Sequence, residues 1–226
     1  MNSSFKIRQL IRYYKDLILI SLTLLFLNCS SVKMTGSWRN ESYQKYIPEK
    51  ILIIGVTPNL TAQMIFEDKL ANEFRLRGIL ASTSTLIFPE RFIENKQSEL
   101  QIQEEIDNLL DQEFDAILVT AVRGVDERQA YSEGYAKTDY YWRRFKGYYF
   151  VYQDIYYNPG YYEKYNVYHI ESSLFHLNPL SGESSLVWVA NFDMVDPQDL
   201  GSSVNDYVEN MVKALEKEGI LVSKGN

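Results

Sequence analysis

The 226-residue chain contains one cysteine, Cys29, and two histidines, His169 and His176. A single cysteine excludes an internal disulfide. The histidines fall at an odd spacing on one predicted strand, which puts them on opposite faces, so they cannot share a metal ion and no metal site is expected. The dinucleotide-binding, phosphate-loop and nucleophile-elbow motifs are also missing. We therefore expect no cofactor and no enzymatic activity.

Basic residues are too few to balance the acids: 23 Lys and Arg oppose 30 Asp and Glu, a formal net charge of −7. Removing residues 1–28, as argued next, takes away four basic residues and one acidic residue and leaves a net charge of −10. A surface of this charge repels phosphate backbones and anionic lipid headgroups. Nucleic-acid binding is therefore disfavoured.

The apolar run near the N-terminus is short. Residues 17–27 form a run of 11 residues, whereas a membrane-spanning helix needs about 20. The preceding residues 1–16 carry four basic side chains, and a basic region before a short apolar core is the layout of a secretory signal. The run therefore predicts export rather than a permanent membrane span.

The apolar run ends in Leu-Phe-Leu-Asn-Cys29, which resembles the lipobox of bacterial lipoproteins. The resemblance implies cleavage before Cys29 and acyl chains on that cysteine, and two or three such chains anchor a protein stably. Residues 1–28 are then a lipoprotein signal peptide, and residues 29–48 are the lipidated cysteine and a tether that includes a lead-in strand. By the same resemblance, Ser30 favours the outer membrane over the inner one. In this segment we expect Trp38, Tyr43 and Tyr46 to pack on the domain.

Residues 49–226 predict a single α/β domain. Apolar runs predict strands at 51–56, 79–83 and 116–122, and amphipathic segments predict helices at 61–77 and 98–112. Strands separated by helices imply parallel pairing. The second half predicts an antiparallel hairpin, strands 167–177 and 186–194, followed by a helix at 202–218. Together these patterns predict a mixed sheet of about five strands packed by three helices.

Several stretches of this domain resemble a group of bacterial envelope lipoproteins whose domain is similar to the N-terminal α/β domain of the TolB translocation protein and to curli-secretion-type lipoproteins. The matching stretches are residues 50–57 (KILIIGVT), 66–70 (FEDKL), 114–120 (FDAILVT), 171–175 (ESSLF), 186–188 (LVW), 214–215 (AL) and 219–220 (GI). The resemblance implies an α/β fold and a place in the cell envelope. It carries over no catalytic residues.

Tyrosine is concentrated in one segment: residues 131–165 contain 12 of the chain's 18 tyrosines. The turn sequence Asn158-Pro159-Gly160 predicts a long hairpin, strands 146–157 and 161–177, that extends past the sheet. The rings either pack on each other and on the domain, or form a contact platform for a partner protein or a glycan. The candidate partner-binding residues are Tyr148, Tyr149, Tyr152, Tyr156, Tyr157 and Tyr161.

Two sets of polar residues remain to be assigned. In open α/β sheets ligands bind at the carboxyl ends of the strands, where Thr57, Ser82 and Arg123 are predicted to lie, so these three define a candidate small-ligand crevice. Glu67 and Asp68 are neighbours on a helix and point about 100° apart. We expect them to be solvated helix positions rather than an acid–base pair.

Three functions remain open. The first is a non-catalytic, membrane-anchored envelope lipoprotein that acts through contacts with another envelope protein. The second is a glycan- or peptidoglycan-binding lipoprotein that uses the tyrosine-rich surface. The third is a small-ligand-binding or enzymatic domain that uses the crevice.

Overall fold

A six-stranded sheet organises the part of the chain that the structure describes. The structure, a computed structural model, describes residues 32–89, 92–93, 95–126, 145–147, 149, 167–178, 185–195 and 200–222. The strands are β1 (Val32–Arg39), β2 (Lys50–Val56), β3 (Leu80–Thr83), β4 (Ala116–Asp126), β5 (Val167–His176) and β6 (Leu186–Val195). The helices are α1 (Leu60–Arg75), α2 (Ser84–Ile87), α3 (Glu99–Asp111) and α4 (Leu200–Lys217), with a 3-10 turn at Glu41–Tyr43. All of them belong to one compact unit, Ser31–Asn226.

The predicted mixed α/β fold is confirmed, with six strands instead of about five. The strand order is β1-β6-β5-β4-β2-β3. Strands β2, β3 and β4 are parallel, and β5, β6 and β1 are added in antiparallel pairs. The additional strand is β1, from the predicted lead-in segment. It pairs with β6 and forms one edge of the sheet.

The carboxyl ends of β2, β4 and β6 and the amino ends of β5 and β1 lie at the same end of the sheet. We call this the upper end of the sheet. In register terms, Asp126 of β4 pairs with Val167 of β5, and Val167 pairs with Val195 of β6. Val32 of β1 pairs with Met194. The chain therefore enters the sheet at its upper end.

Local sequence signals fix the helix boundaries. Asn59 caps α1 by accepting a hydrogen bond from the Ala62 backbone amide (3.0 Å), and Ser98 and Gln101 form a reciprocal capping box at the start of α3. Gly78 and Gly219 follow α1 and α4 with positive φ angles of 82° and 69°. Both glycines end these helices, because only glycine adopts this conformation without strain.

Each face of the sheet carries its own core. On one face, α1 and α4 cover alternate residues of the central strands, among them Ile51, Ile53, Leu118, Leu174, Trp188 and Phe192. On the other face, α3 and the segment around Phe88 and Phe92 cover Leu52, Ile54, Ile117, Val119 and Phe175. This double coverage explains why the central strands β2 and β4 are continuous apolar runs. None of the described helices has the length and hydropathy needed to cross a bilayer.

The lead-in segment packs on the domain only in part. Tyr43 is buried, and the Tyr46 hydroxyl donates to Oδ2 of Asp115 (2.8 Å), as the prediction of packing requires. Trp38 belongs to the same predicted packing segment and pairs with β6, but it is 49% exposed and adds less to the packing. It lies on the edge strand opposite Val189, not on the face that buries Trp188.

The predicted tyrosine-rich hairpin is wrong at its beginning. Residues 145–147 and 149 are helical, although a strand was expected from residue 146. The spacing of Phe145 and Tyr149 gives the physical reason, since residues four apart share one face of a helix. Their ring centroids lie 5.6 Å apart, and Phe145 contacts Phe175 while Tyr149 contacts Phe92. The strand from Val167 onward is confirmed, and the remainder of the predicted hairpin lies outside the described residues.

Candidate functional site

A cavity of about 570 Å³ lies at the upper end of the sheet, between the first turns of α1 and α4. This volume falls within the range of about 300–1,000 Å³ that small-molecule sites occupy. The wall is built by the turn from β2 into α1, by β4, β5 and β6, and by one face of α4. The lining residues are Gly55 to Gln63, Phe66, Thr120, Val122, Tyr168, Ile170, Met194, Leu200, Val204 and Tyr207.

The α1 side of the cavity depends on a close approach at Gly55. A Cβ atom on this residue would lie 3.2 Å from Cδ1 of Phe66 and 3.3 Å from Cγ of Gln63. Glycine therefore allows α1 to pack directly against the end of β2. The chain then turns through Thr57 and Pro58, and the first turn of α1 becomes one wall of the cavity.

The α4 side is a helical stripe. Leu200, Val204 and Tyr207 line the cavity at intervals of four and three residues, which places them on one face of α4. The Tyr207 ring packs edge-on against Phe192, with centroids 4.9 Å apart, and lies 5.8 Å from the Phe66 ring. These contacts fix the ring between α1 and β6, so that its hydroxyl reaches the sheet.

Three buried hydroxyl groups form a chain beside the cavity. Oγ1 of Thr120 lies 2.6 Å from Oγ of Ser172, which in turn lies 2.6 Å from the hydroxyl of Tyr207. Burial raises the pKa of Tyr207 above its ordinary value, so the phenol stays protonated. The hydroxyls therefore satisfy one another and add no charge to the wall.

The wall of the cavity is uncharged and mainly apolar. Its described lining residues include no Asp, Glu, His, Lys, Arg or Cys. The polar members are hydroxyl and amide side chains, and most of the remainder are Val, Leu, Ile, Met, Phe and Pro. Such a wall favours an apolar ligand.

A buried carboxylate supports this wall from behind. Oε1 of Glu67 accepts hydrogen bonds from the Gly55 backbone amide (2.8 Å), Nε2 of Gln63 (2.9 Å) and Oγ of Ser84 (2.6 Å). Burial raises the pKa of Glu67, although these donors lower it in part. The carboxylate joins β2, α1 and the start of α2, so it positions two residues of the cavity wall without lining it.

This role of Glu67 was not predicted from the sequence. Glu67 was expected to be a solvated helix residue, which is wrong, since its side chain is fully buried. A signal was present, because Glu67 lies four residues after Gln63 and four before Ala71, both of which are buried. The inner stripe of α1 is therefore wider than its apolar residues alone indicate.

The structure does not bring the three predicted crevice residues together. Thr57 lines the cavity, whereas Ser82 and Arg123 do not. Arg123 follows Val122 on β4, and its Nη1 donates to Oε2 of Glu171 (2.5 Å) on the opposite face of the sheet. Beyond Ser82, β3 runs directly into α2, which occupies that carboxyl end.

Of the other predicted site residues, Tyr149 is described, and its ring packs on Phe92 and Phe145 as given above. Cys29 and the candidate residues Tyr148, Tyr152, Tyr156, Tyr157 and Tyr161 lie outside the described residues. Their predicted roles stay predictions.

A second polar arrangement lies at the upper end, on the face opposite the cavity. Nδ1 of His169 lies 2.7 Å from Oδ1 of Asp193, and Nε2 lies 3.2 Å from Oδ2 of Asp126. Burial lowers the pKa of His169, but the hydrogen bonds and charges of the two aspartates outweigh it, and the pKa is raised overall. Within the described part of the chain, no group of three or more His, Cys, Asp or Glu residues is placed to hold a metal ion.

Comparisons with known proteins give likenesses of fold. No protein-family model matches the chain, and no curated protein matches it significantly. A PelC dodecamer structure from Paraburkholderia phytofirmans aligns with a TM-score of 0.40 and 14% identity over 84% of this chain and 98% of that one. Lipoprotein GNA1162 from Neisseria meningitidis aligns at 0.37 and 12% over 75% and 99%. A DUF4136 family protein from Bacteroides thetaiotaomicron aligns at 0.37 and 9% over 81% and 98%.

At these TM-scores the likenesses carry no conclusion about the activity, location or partners of this chain. The finer resemblance to TolB-type and curli-secretion-type domains stays a prediction.

Proposed function

We propose that this chain is a non-catalytic, lipid-anchored protein of the bacterial cell envelope that binds a small ligand in the cavity at the upper end of the sheet. The observation that carries the proposal is the uncharged, mainly apolar wall of that cavity. Catalysis by proton transfer or by a nucleophile needs a group whose pKa or neighbours activate it. The Tyr207 phenol is instead held neutral and is hydrogen-bonded to Ser172. Binding without chemical conversion is the function that this arrangement supports best.

The proposed anchor is Cys29. Two residues, Ser30 and Ser31, separate it from Val32, where β1 begins. Consecutive Cα atoms lie about 3.8 Å apart, so the Cα atom of Cys29 lies within about 11 Å of that of Val32. Acyl chains on Cys29 would therefore keep the upper end of the domain, and the cavity with it, within reach of the membrane surface.

The anchor is tested by feeding the native cells a clickable palmitate analogue. We expect the wild-type protein to be labelled and to sediment with membranes, and the Cys29→Ala variant to be unlabelled. A density-gradient separation of the two membranes then tests the predicted outer-membrane location. A Cys29→Ala variant that still carries the label would show that the anchor is elsewhere.

Ligand binding is tested without assuming the class of ligand. The wild-type lipoprotein is purified from its native membrane and analysed by native mass spectrometry, beside an Ala62→Phe variant. Ala62 lines the cavity at the first turn of α1, and a phenylalanine there fills the space. We expect an additional mass on the wild type that is absent from the variant. Equal masses above the acylated polypeptide in both proteins would contradict the proposal.

A second candidate function is contact with another envelope protein through residues 131–165. It is favoured by the 12 tyrosines in this segment, since tyrosine is enriched at interfaces. The test is a cross-linking pull-down with Tyr152, Tyr156, Tyr157 and Tyr161 replaced by serine. Phe145 and Tyr149 are kept because they pack on the core. A partner recovered only with the wild type supports this function, and retention of the purified protein on peptidoglycan would favour the glycan alternative.

A further inference from the structure

The mouth of the cavity exposes apolar surface. Leu60, the first residue of α1, lines the cavity, and its side chain is 52% exposed. Its neighbours Pro58, Asn59 and Thr61 are also exposed and also line the cavity. The opening is therefore at the turn from β2 into α1. An exposed leucine beside an apolar cavity extends the apolar surface outward to where a ligand enters.

The cavity and the proposed anchor share one end of the domain. Val32 pairs with Met194 across β1 and β6, and Met194 lines the cavity. Both residues are buried in the same core cluster. Three Cα–Cα steps join Cys29 to Val32, so a membrane that held Cys29 would be within reach of this end.

The chemistry of the wall disfavours charged ligands, and the described lining residues leave one buried acceptor, Oε1 of Gln63, without a hydrogen-bond partner. A phosphate, a carboxylate or an ammonium group needs an opposite charge or several free hydrogen-bonding groups, because burying an unpaired charge is costly. No charged residue is among those that line the cavity in the described part of the chain. The hydroxyls of Thr120 and Tyr207 are both hydrogen-bonded to Ser172. A hydrocarbon chain needs no such partner, and its burial is favourable in proportion to its apolar area.

We propose that the cavity binds one long acyl chain of a membrane lipid, drawn from the membrane in which Cys29 anchors the protein. The inference rests on the proposed function, since it names the class of ligand that the cavity holds. The chain enters past Leu60 and lies between α1 and α4, with the lipid headgroup left outside the mouth.

The first experiment uses the domain Ser31–Asn226, which forms one compact unit and lacks the proposed anchor. The domain is titrated with the fluorescent polyene fatty acid cis-parinaric acid. We expect saturable binding at one site, displacement by palmitate and no displacement by butyrate. Absence of saturable binding, or displacement by butyrate as effective as that by palmitate, would overturn the proposal.

Three variants locate the site. Ala62→Phe fills the cavity and should abolish binding. Leu60→Glu places a charge at the mouth and should weaken binding by about tenfold or more. The matched control is Leu100→Glu, because Leu100 is also an exposed leucine in the first turn of a helix, α3, but does not line the cavity. If Leu60→Glu and Leu100→Glu, both with wild-type circular dichroism, bound cis-parinaric acid with equal affinity, the fatty acid would be bound elsewhere.

Whether the bound acyl chain comes from a membrane lipid is tested with the full lipidated protein in vesicles that contain a fluorescent phospholipid. Uptake of the lipid that Ala62→Phe abolishes supports the proposal. If the domain binds cis-parinaric acid but the lipidated protein takes up no lipid, the membrane-lipid source is wrong. If native mass spectrometry instead finds a ligand without an acyl chain, the acyl assignment fails while the proposed binding function stands. The cis-parinaric acid result is independent of whether Cys29 is lipidated, because the domain Ser31–Asn226 lacks that residue.

Discussion

Val32 and Met194 face each other across β1 and β6, so the residue at which the chain enters the sheet lies beside a wall of the cavity. Nothing in the local sequence around either residue indicates this, since they lie 162 positions apart in the chain. The pairing ties the position of the cavity to the length of the connection between Cys29 and Val32. That length can be changed without altering the domain.

Lengthening the connection should impair access to membrane lipid and leave stability unchanged. Twelve Gly and Ser residues inserted between Ser31 and Val32 form a flexible linker with a mean span of about 20 Å. We expect slower uptake of fluorescent phospholipid by the anchored protein, because the cavity spends less time at the membrane surface. The urea midpoint of unfolding should not change, since Val32 keeps its pairing. Replacing Ser30 and Ser31 by glycines, without added length, is the control, and equal uptake by all three proteins would contradict the role of the short connection.

Removing different hydroxyls of the buried Thr120–Ser172–Tyr207 chain should lower the free energy of unfolding by different amounts. Tyr207→Phe removes one hydroxyl of the three and leaves Thr120 hydrogen-bonded to Ser172. We therefore expect a loss of about 1 kcal/mol in the free energy of unfolding. Ser172→Ala removes the shared partner of Thr120 and Tyr207 and leaves these two hydroxyls only their hydrogen bond with each other, so about 2 kcal/mol should be lost.

Urea unfolding of the two single variants and of the double variant measures these losses. The double variant should lose less than the sum of the single losses, because residues of one hydrogen-bonded network are coupled. Additive losses would show that the three hydroxyls do not act together.

Glu67 should make the protein more stable in mild acid. Burial raises the pKa of its carboxyl in the folded state above that in the unfolded chain, so the folded state binds more protons between the two values. The free energy of unfolding must then decrease as the pH rises through this interval. Glu67→Gln keeps the shape and removes the titrating group, so its urea midpoint should fall less steeply with pH than that of the wild type.

Two further variants complete this test. Asp68→Asn is the control, since Asp68 is the exposed neighbour on the same helix. Glu67→Ala should be destabilised at every pH by about 1–3 kcal/mol, because it leaves the Gly55 amide and the Ser84 hydroxyl without their acceptor. If Glu67→Gln and the wild type had parallel pH profiles, the raised pKa of Glu67 would be refuted.

Glu67 and the apolar strands differ in how well their burial could be predicted from the sequence. The strand β2 and the inner stripe of α1 could be predicted, because each shows as a pattern of apolar residues within one short segment of the sequence. The burial of Glu67 depends on Gly55 and Ser84, which lie 12 and 17 positions away on other elements. Pattern analysis assigns a lone glutamate to the solvent side of a helix, because it has no access to such partners.

The candidate site was predictable in its position but not in its composition. The rule that ligands bind at the carboxyl ends of strands placed Thr57 correctly, since it depends only on where β2 ends. Arg123 was misplaced because side chains alternate along β4, and Val122 rather than Arg123 faces the cavity. The contributions of Met194 and Tyr207 depend on strand order and helix packing, which no local pattern contains.

His169 should give a second, separate loss of stability at higher pH. Burial lowers its pKa, but Asp193 and Asp126 together raise the pKa above the ordinary histidine value. The protonated folded state is favoured, so the stabilisation is complete below the pKa of the unfolded chain and is lost as the pH rises through the folded pKa. This interval begins near neutral pH, whereas that of Glu67 begins in the acid range. His169→Gln should therefore abolish the second loss and leave the first.

The two aspartates should contribute unequally to the His169 effect. Asp193 lies closer (2.7 Å) and its side chain is 34% exposed, whereas Asp126 lies at 3.2 Å and is 58% exposed, where solvent screens its charge. We expect Asp193→Asn to lower the His169 pKa more than Asp126→Asn does, as measured by NMR titration of the imidazole Cε1 proton, with His176 present in each spectrum as an internal reference. If both variants shifted the pKa equally, solvent screening would not be what distinguishes the two ion pairs. If neither shifted it, the pH dependence of stability would have to arise from another group.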